Sequence, residues 1–531
     1  MILIYSQSTT IHGDDLKIKI LEGVIMKNAR LAINMIATIF SFIVTMGINF
    51  VLSPYIINTV GKEAYGFVGL ANNFISYAQL VTLALNAMAG RFITIKIHQG
   101  DSEEANKYFT SVVVANTLTA IALLIPSILI ILNLNQIINV PQEILGDVQI
   151  LWGLVFLNFL IGLVLTTFNV ATFVTNRLDL SSIRDIQANI IRVITLMLVF
   201  SFLTPSVWYI GLASIICTIF VGIYNIYYKM KLLPDLKLRI QYFDIKVIVE
   251  LLFSGIWHVV IKLGQILSDG LDLLISNIFI NPSTMGVLAI SKTVPTAITS
   301  LLGTITGVFT PQLTIHYAKE NKELLVKELI KSMRFTGLFT NIPLVFLFAF
   351  GLSFYSLWVP GENVELIHLT ASLTIASGLI VGVINPLFNV FTITNNLKIH
   401  SSVIVVQGIS NIFIVYFLLK TTQLGILAIA GVSSVTAILL NLIYTPIYAS
   451  HCLKCSKVTF YPVIIRYMVS TAILMIVLVL LSINLKVDTW LGLVTMAILS
   501  GLIGLVINGV VLFDKKDREY LMSLFLQRFN R

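Results

Sequence analysis

The stretch that decides the fold is Leu251–Ile280, LLFSGIWHVVIKLGQILSDGLDLLISNIFI. Read as a helix, it places Ser254, His258, Lys262, Gln265, Asp269, Asp272 and Ser276 at steps of three or four, all on one face. Leu251, Leu252, Phe253, Ile256, Val259, Val260, Leu263, Ile266 and Leu271 cover the other faces. At about 1.5 Å per residue the run crosses a bilayer with some tilt. A lysine and two aspartates at that depth are costly unless they face a wet cavity or pair with one another. The stripe is therefore either the wall of a substrate route or an internal ion pair that locks helices together.

The rest of the chain has the same character. Of its 531 residues 57% are hydrophobic and 11% charged, and the mean hydropathy is +0.94. Soluble domains carry about 25% charged residues, so an all-α polytopic membrane protein is expected. Fourteen apolar segments are readable, near 33–57, 66–95, 108–132, 149–175, 183–204, 208–230, 247–280, 284–316, 330–358, 364–394, 400–420, 424–450, 458–482 and 487–512. With the N-terminus inside, 27 Lys and Arg residues fall on cytoplasmic stretches, whereas Lys62, Lys420 and Lys486 fall outside. That asymmetry predicts cytoplasmic N- and C-termini. It also assigns the net charge of +9 to an anionic inner leaflet rather than to nucleic acid.

Self-similarity at an offset of 220 residues organises the spans. It lays Ile161-Gly162 and Phe168-Asn169-Val170 over Val381-Gly382 and Phe388-Asn389-Val390. It also sets Gly66 over Gly286, Gln187 over Gln407 and Ser214 over Ser434. Each repeat holds six helices, an even number, so the two are parallel copies about an axis along the membrane normal. The expected division is a cytoplasmic segment at 1–32, an N-terminal six-helix bundle at 33–230, a cytoplasmic linker at 231–246 and a C-terminal six-helix bundle at 247–450. Two extra C-terminal helices lie in 458–512, and an amphipathic tail occupies 513–531. Met26 opens a plausible shorter start, and residues 1–30 lack a secretory signal.

The offset carries over to the polar positions. Asn49 corresponds to Asp269 and Asn72 to Lys292. Asn72, Ser76, Gln79 and Asn86 form a stripe on the second helix. Helices 1, 2, 7 and 8 are thus expected to face one another across a cleft, although uncharged stripes also serve as interhelical hydrogen-bond seams. Lys292 is within reach of Asp269 or Asp272, Lys262 has no evident partner, and Arg192 either lines the cleft or pairs with Asp185. Pro295 and Pro386 are hinge candidates or static kinks. Lys319–Arg334 and Asp514–Arg531 read as surface helices on the inner leaflet. Cys217, Cys452 and Cys455 form no zinc pattern, and neither a metal nor a cofactor is expected.

With Asn58-Thr59-Val60-Gly61-Lys62-Glu63-Ala64-Tyr65-Gly66 after the first helix, this 14-helix chain resembles the polysaccharide transporter family. That family, which includes the O-antigen flippases, belongs to the multidrug/oligosaccharidyl-lipid/polysaccharide exporter superfamily. The resemblance spans about Lys27 to Phe513. It implies export of an undecaprenyl-pyrophosphate-linked oligosaccharide across the bacterial cytoplasmic membrane by alternating access, alongside polysaccharide polymerase machinery. It places the phosphate and sugars in a cationic cavity, a role carried here onto Lys262, Lys292 and Arg91. The full candidate lining adds Asp269, Asp272, His258, Gln265, Asn49, Asn72, Gln79 and Asn86. The acids depart from a purely cationic wall and keep a cation-coupled multidrug exporter as the alternative. A membrane-embedded glycan ligase or polymerase would need a sizeable outer loop, and the longest expected here, 133–148, has only Glu143 and Asp147 as charged groups.

Overall fold

The computed structural model describes residues 33–514, apart from 35, 39, 308, 310–312, 314–315, 318–320 and 395. Fourteen helices among the described residues are long and apolar enough to span a membrane. In order they are α1 (Ile36–Val60), α2 (Lys62–His98), α3 (Ser102–Leu132), α4 (Gln142–Val174), α5 (Leu178–Phe202), α6 (Tyr209–Leu232) and α7 (Ile245–Phe279). They continue as α8 (Pro282–Gly307), α9 (Lys322–Trp358), α10 (Val364–Ile393), α11 (Leu397–Thr421), α12 (Ile426–Leu453), α13 (Tyr461–Asn484) and α14 (Trp490–Leu512). Large apolar side chains such as Phe202, Phe253, Phe413, Ile483 and Leu491 point outward, at 70–81% exposure. Water would not tolerate such a continuous apolar surface, and lipid would. The molecule is a multi-pass membrane protein.

The helix boundaries keep the 220-residue register. α3 begins at Ser102 and α9 at Lys322, and α2 begins at Lys62 and α8 at Pro282. Even the caps correspond. Asp101 accepts the Glu104 N–H at 3.0 Å and Asn321 accepts the Leu324 N–H at 3.1 Å, each satisfying a donor that the first turn leaves open. Gly61, at φ 87°, turns the chain from α1 into α2, a conformation that a side chain would strain.

The two six-helix units meet where equivalent glycines touch. A Cβ on Gly66 would lie 3.0 Å from Gly286 Cα, and one on Gly286 would lie 2.5 Å from the Lys62 carbonyl oxygen, so only bare backbone lets α2 and α8 approach this closely. Around that crossing, Lys62 pairs with Glu362 at 2.8 Å, and the Trp358 indole N–H donates to the Phe50 carbonyl at 2.9 Å. Asn139 and Asn277 exchange three hydrogen bonds of 2.8–3.0 Å. These contacts latch the two units at one end of the bundle, the end that holds the α1–α2 and α7–α8 turns.

α13 and α14 attach to the second unit through α9. Asn341, Thr471, Ser470 and Asn508 form a buried network, and Thr340 meets the Tyr467 hydroxyl at 3.1 Å. Hydrogen bonding of this kind holds helices together in lipid, where apolar surface supplies little driving force. The separate surface helix expected at Lys319–Arg334 is corrected here, because from Lys322 onward it is the first part of a single 37-residue α9. Its apolar positions Leu325, Leu329 and Met333 pack against α10, α12 and α13 rather than against lipid. A helix of that length spans about 55 Å and so projects beyond a hydrocarbon layer of about 30 Å. Residues 1–32 and all but Asp514 of the expected tail helix lie outside the described residues.

Candidate functional site

A cavity of about 810 Å³ lies between the two six-helix units. Its polar wall is built from both: Asn49 on α1, Asn72, Asn73, Ser76 and Tyr77 on α2, and Arg192 on α5, facing Lys262, Gln265 and Asp269 on α7 and Lys292 and Thr296 on α8. Six of the candidate residues are thereby brought together, namely Lys262, Lys292, Asp269, Gln265, Asn49 and Asn72.

Two of the three cations make no hydrogen-bonded ion pair among the described residues, although Asp269 lies near enough to Lys262 to act on it electrostatically. The Arg192 guanidinium donates to Asn49 Oδ1 at 3.1 Å, and its Nε is buried without a hydrogen-bond partner among the described residues. Asp185 pairs instead with Arg184, at 2.7 Å. Lys262 has no hydrogen-bond or ion-pair partner among the described residues. Lys292 is held by the Asp272 carboxylate and by the Asp269 backbone carbonyl, the latter at 3.2 Å. Asp272 is 3% exposed and would be an uncompensated buried charge without that lysine.

The expected single stripe on α7 is broken by a π-turn at Ile266–Gly270. A π-turn inserts one extra residue and rotates everything after it. Asp269 lies within the turn, Asp272 beyond it still lines a cavity of the second unit with Gln265 and Asp269, and Ser276 is fully buried. The carbonyls released by the bulge are taken up from both sides. Gly270 O accepts from Asn73 Nδ2 at 3.0 Å and from the Tyr77 hydroxyl at 2.7 Å, both on α2. Ser268 O accepts from Asn411 Nδ2 at 3.1 Å and from the Ser433 hydroxyl at 3.0 Å, on α11 and α12. Irregular backbone at membrane depth is tolerated only with such partners. Asn73 and Tyr77, each one residue beside the expected stripe on α2, were not legible as functional because their role depends on a bulge that periodicity does not reveal.

Two further cavities open off this wall. One, of about 400 Å³, lies within the second unit and shares Gln265, Asp269, Lys292 and Thr296 with the central cavity. Asp272, His400, Gln407 and Asn441 also line it. The other, of about 460 Å³, lies within the first unit and shares only Asn72 with the central cavity. The second-helix stripe is therefore divided, with Asn72 and Ser76 at the central cavity and Gln79 and Asn86 in the side pocket. His258 lines none of these cavities, and its Nδ1 is buried without a hydrogen-bond partner among the described residues. Arg91 is exposed on α2 and lines none of them either.

Two parallel six-helix units thus enclose a polar cavity, with two further helices appended to the second unit. A model of the family described as "Polysaccharide biosynthesis protein" matches residues 31–316, and the chain belongs to that family. It is similar to the "Uncharacterized membrane protein EpsK" of Bacillus subtilis (strain 168), at 28% identity over 93% of this chain and 98% of the relative. Among solved structures, the lipid II flippase MurJ in an inward closed conformation superposes with a TM-score of 0.64 at 16% identity, over 94% of this chain and 99% of that one. An inward-facing multidrug resistance MATE family transporter gives 0.60 at 13% identity, over 80% and 99%. At these identities the two structures establish the fold.

Proposed function

We propose that this chain is a flippase that moves an undecaprenyl-pyrophosphate-linked oligosaccharide across the bacterial cytoplasmic membrane for surface polysaccharide biosynthesis. The observation that carries this reading is the central cavity, where Arg192 and Lys262 stand among amides and hydroxyls without a hydrogen-bonded carboxylate among the described residues. Lysine offers phosphate a compact point charge and arginine a planar fork of donors. Asn and Ser match the hydroxyls of sugars. The polar head passes through the cavity while the lipid tail stays in the bilayer, and the two units rock about the cavity to expose it alternately to each side. Latching at one end, as in the present conformation, is one half of that cycle. The chain is a carrier and not an enzyme, and the expected orientation puts both termini in the cytoplasm.

A cation-coupled multidrug exporter is the second reading, favoured by Asp269 in the cavity wall. Deletion in the native host, followed by rescue, separates the two. Lipid-linked oligosaccharide is expected to accumulate on the cytoplasmic leaflet and to be relieved by wild type but not by Lys262→Ala or Lys292→Ala. Hypersensitivity to cationic drugs without accumulation would instead establish the exporter.

A further inference from the structure

The side pocket of the first unit differs from the central cavity in one respect that bears on its ligand: no charged side chain lines it. Asn72, Gln79, Thr82 and Asn86 from α2, Asn158 and Thr166 from α4 and Thr218 from α6 supply its polar wall, with Phe159 beside them. Much of that hydrogen-bonding capacity is unused. The Asn158 Oδ1 atom is buried without a partner among the described residues. The side chains of Gln79, Thr166 and Thr218 make no hydrogen bond among the described residues either. Asn86, by contrast, is committed to Asn116 through reciprocal bonds of 2.9 and 3.2 Å.

A buried amide oxygen without a partner, here Asn158 Oδ1, is expensive unless something occupies it, and the exposed Gln79 and Thr166 side chains are free to meet a ligand beside it. A neutral wall does not select for phosphate, an organic cation or a metal ion. It suits a neutral group rich in hydroxyls, whose donors and acceptors pair with amides and whose C–H faces rest on an aromatic ring. The volume of about 460 Å³ lies within the range of small-ligand sites, roughly 300–1,000 Å³. Its connection to the central cavity is Asn72, on the α2 face opposite Lys262 and Lys292.

We infer that this pocket is a sugar subsite, which takes part of the oligosaccharide while the cations of the central cavity hold the pyrophosphate. The inference rests on the flippase reading and deepens it. The side pocket of the N-terminal unit then reads the glycan while the central cavity, with Arg192 on α5 and Lys262 and Lys292 on α7 and α8, holds the charge, so specificity for a given polysaccharide resides in α2, α4 and α6.

The test uses the purified full-length protein in nanodiscs and two probes. One is the lipid-linked oligosaccharide extracted from the native host lacking this chain, and the other is undecaprenyl pyrophosphate without sugar. Wild type is expected to bind the first more tightly. Gln79→Leu and Thr218→Val each remove a group that makes no hydrogen bond among the described residues, so they leave folding intact. Each is expected to weaken binding of the glycan-bearing lipid by about five- to ten-fold, the loss of about one hydrogen bond, and to leave undecaprenyl pyrophosphate unaffected. Lys262→Ala is expected to weaken both. Equal binding of the two lipids by wild type, or equal weakening of both by the pocket variants, would overturn the sugar subsite and leave the flippase reading standing. Failure of wild type to bind either lipid above phosphatidylglycerol would overturn the flippase reading and this inference with it.

Discussion

Asn49 and Asp269 stand 220 residues apart and line one cavity from α1 and α7, and Asn72 and Lys292 do the same from α2 and α8. The correspondence extends outward. Gln79 lines the side pocket of the first unit and Thr299 that of the second, as do Asn158 and Gly378. At these positions one scaffold has been given two chemistries. At Asn49/Asp269 and Asn72/Lys292 the N-terminal unit offers a neutral amide and the C-terminal unit an acid or a cation, and the charges of the second unit are partly spent on each other through Lys292 and Asp272. The comparison teaches that the register of the repeat fixes where polar groups point, while the residue type at each register position sets what they do.

The largest expected effect comes from breaking the charged side. Lys292→Met leaves Asp272 buried and unpaired, and a loss of about 3–5 kcal/mol is expected in the unfolding of the purified protein. Adding Asp272→Leu should restore most of that stability without restoring transport. A single variant as stable as wild type would show that the pair is not what holds α7 to α8. Next in size, Lys262→Ala removes a cation that makes no hydrogen bond or close ion pair among the described residues, so melting should hardly move while transport falls at least ten-fold. On the neutral side, Tyr77→Phe deletes the 2.7 Å bond to the Gly270 carbonyl, and Asn73 still serves that oxygen. A loss of about 1 kcal/mol is expected, measured by the same melt.

Smaller effects are expected at the ends. Lys62→Ala opens a partly exposed pair with Glu362 and should cost no more than about 1 kcal/mol, shrinking further in high salt. Asp514 accepts hydrogen bonds from Arg466 at 2.8 Å and Arg334 at 3.0 Å, which hold its carboxyl below the usual carboxylate range. A depressed carboxylate stabilises the fold above its unfolded pKa, and the contribution disappears as pH falls through the folded value. Asp514→Asn should therefore narrow the gap between melting temperatures at neutral and acid pH, by a small amount because the group is half exposed.

How much of this was legible follows from what periodicity encodes. Composition and apolar run length suffice to mark the spans, because crossing a bilayer demands about 20 apolar residues each time. The repeat was legible because Gly66 and Gly286 cannot vary without separating α2 from α8. An acid partner for Lys292, Asp269 or Asp272, was legible from the short connection at 281–284, and the structure selects Asp272. The π-turn was not, since a regular helix read through Ile266–Gly270 gives no sign of the carbonyls of Ser268 and Gly270 that neighbouring helices take up. Nor was the divided face of α2, where Gln79 and Asn86 turn into the first unit. Both depend on which neighbour a helix meets, and that is not written in its own spacing.

The central claim is that the cations of one cavity carry a lipid-linked glycan head across the membrane. Its most direct test is reconstitution: purified protein in liposomes loaded with the host's lipid-linked oligosaccharide, following the fraction that becomes accessible to a glycan-cleaving enzyme on the opposite face. Transfer by wild type that collapses in Lys262→Ala while Arg91→Ala transfers normally is the predicted result. Transfer indistinguishable between protein-free and wild-type liposomes would contradict the account.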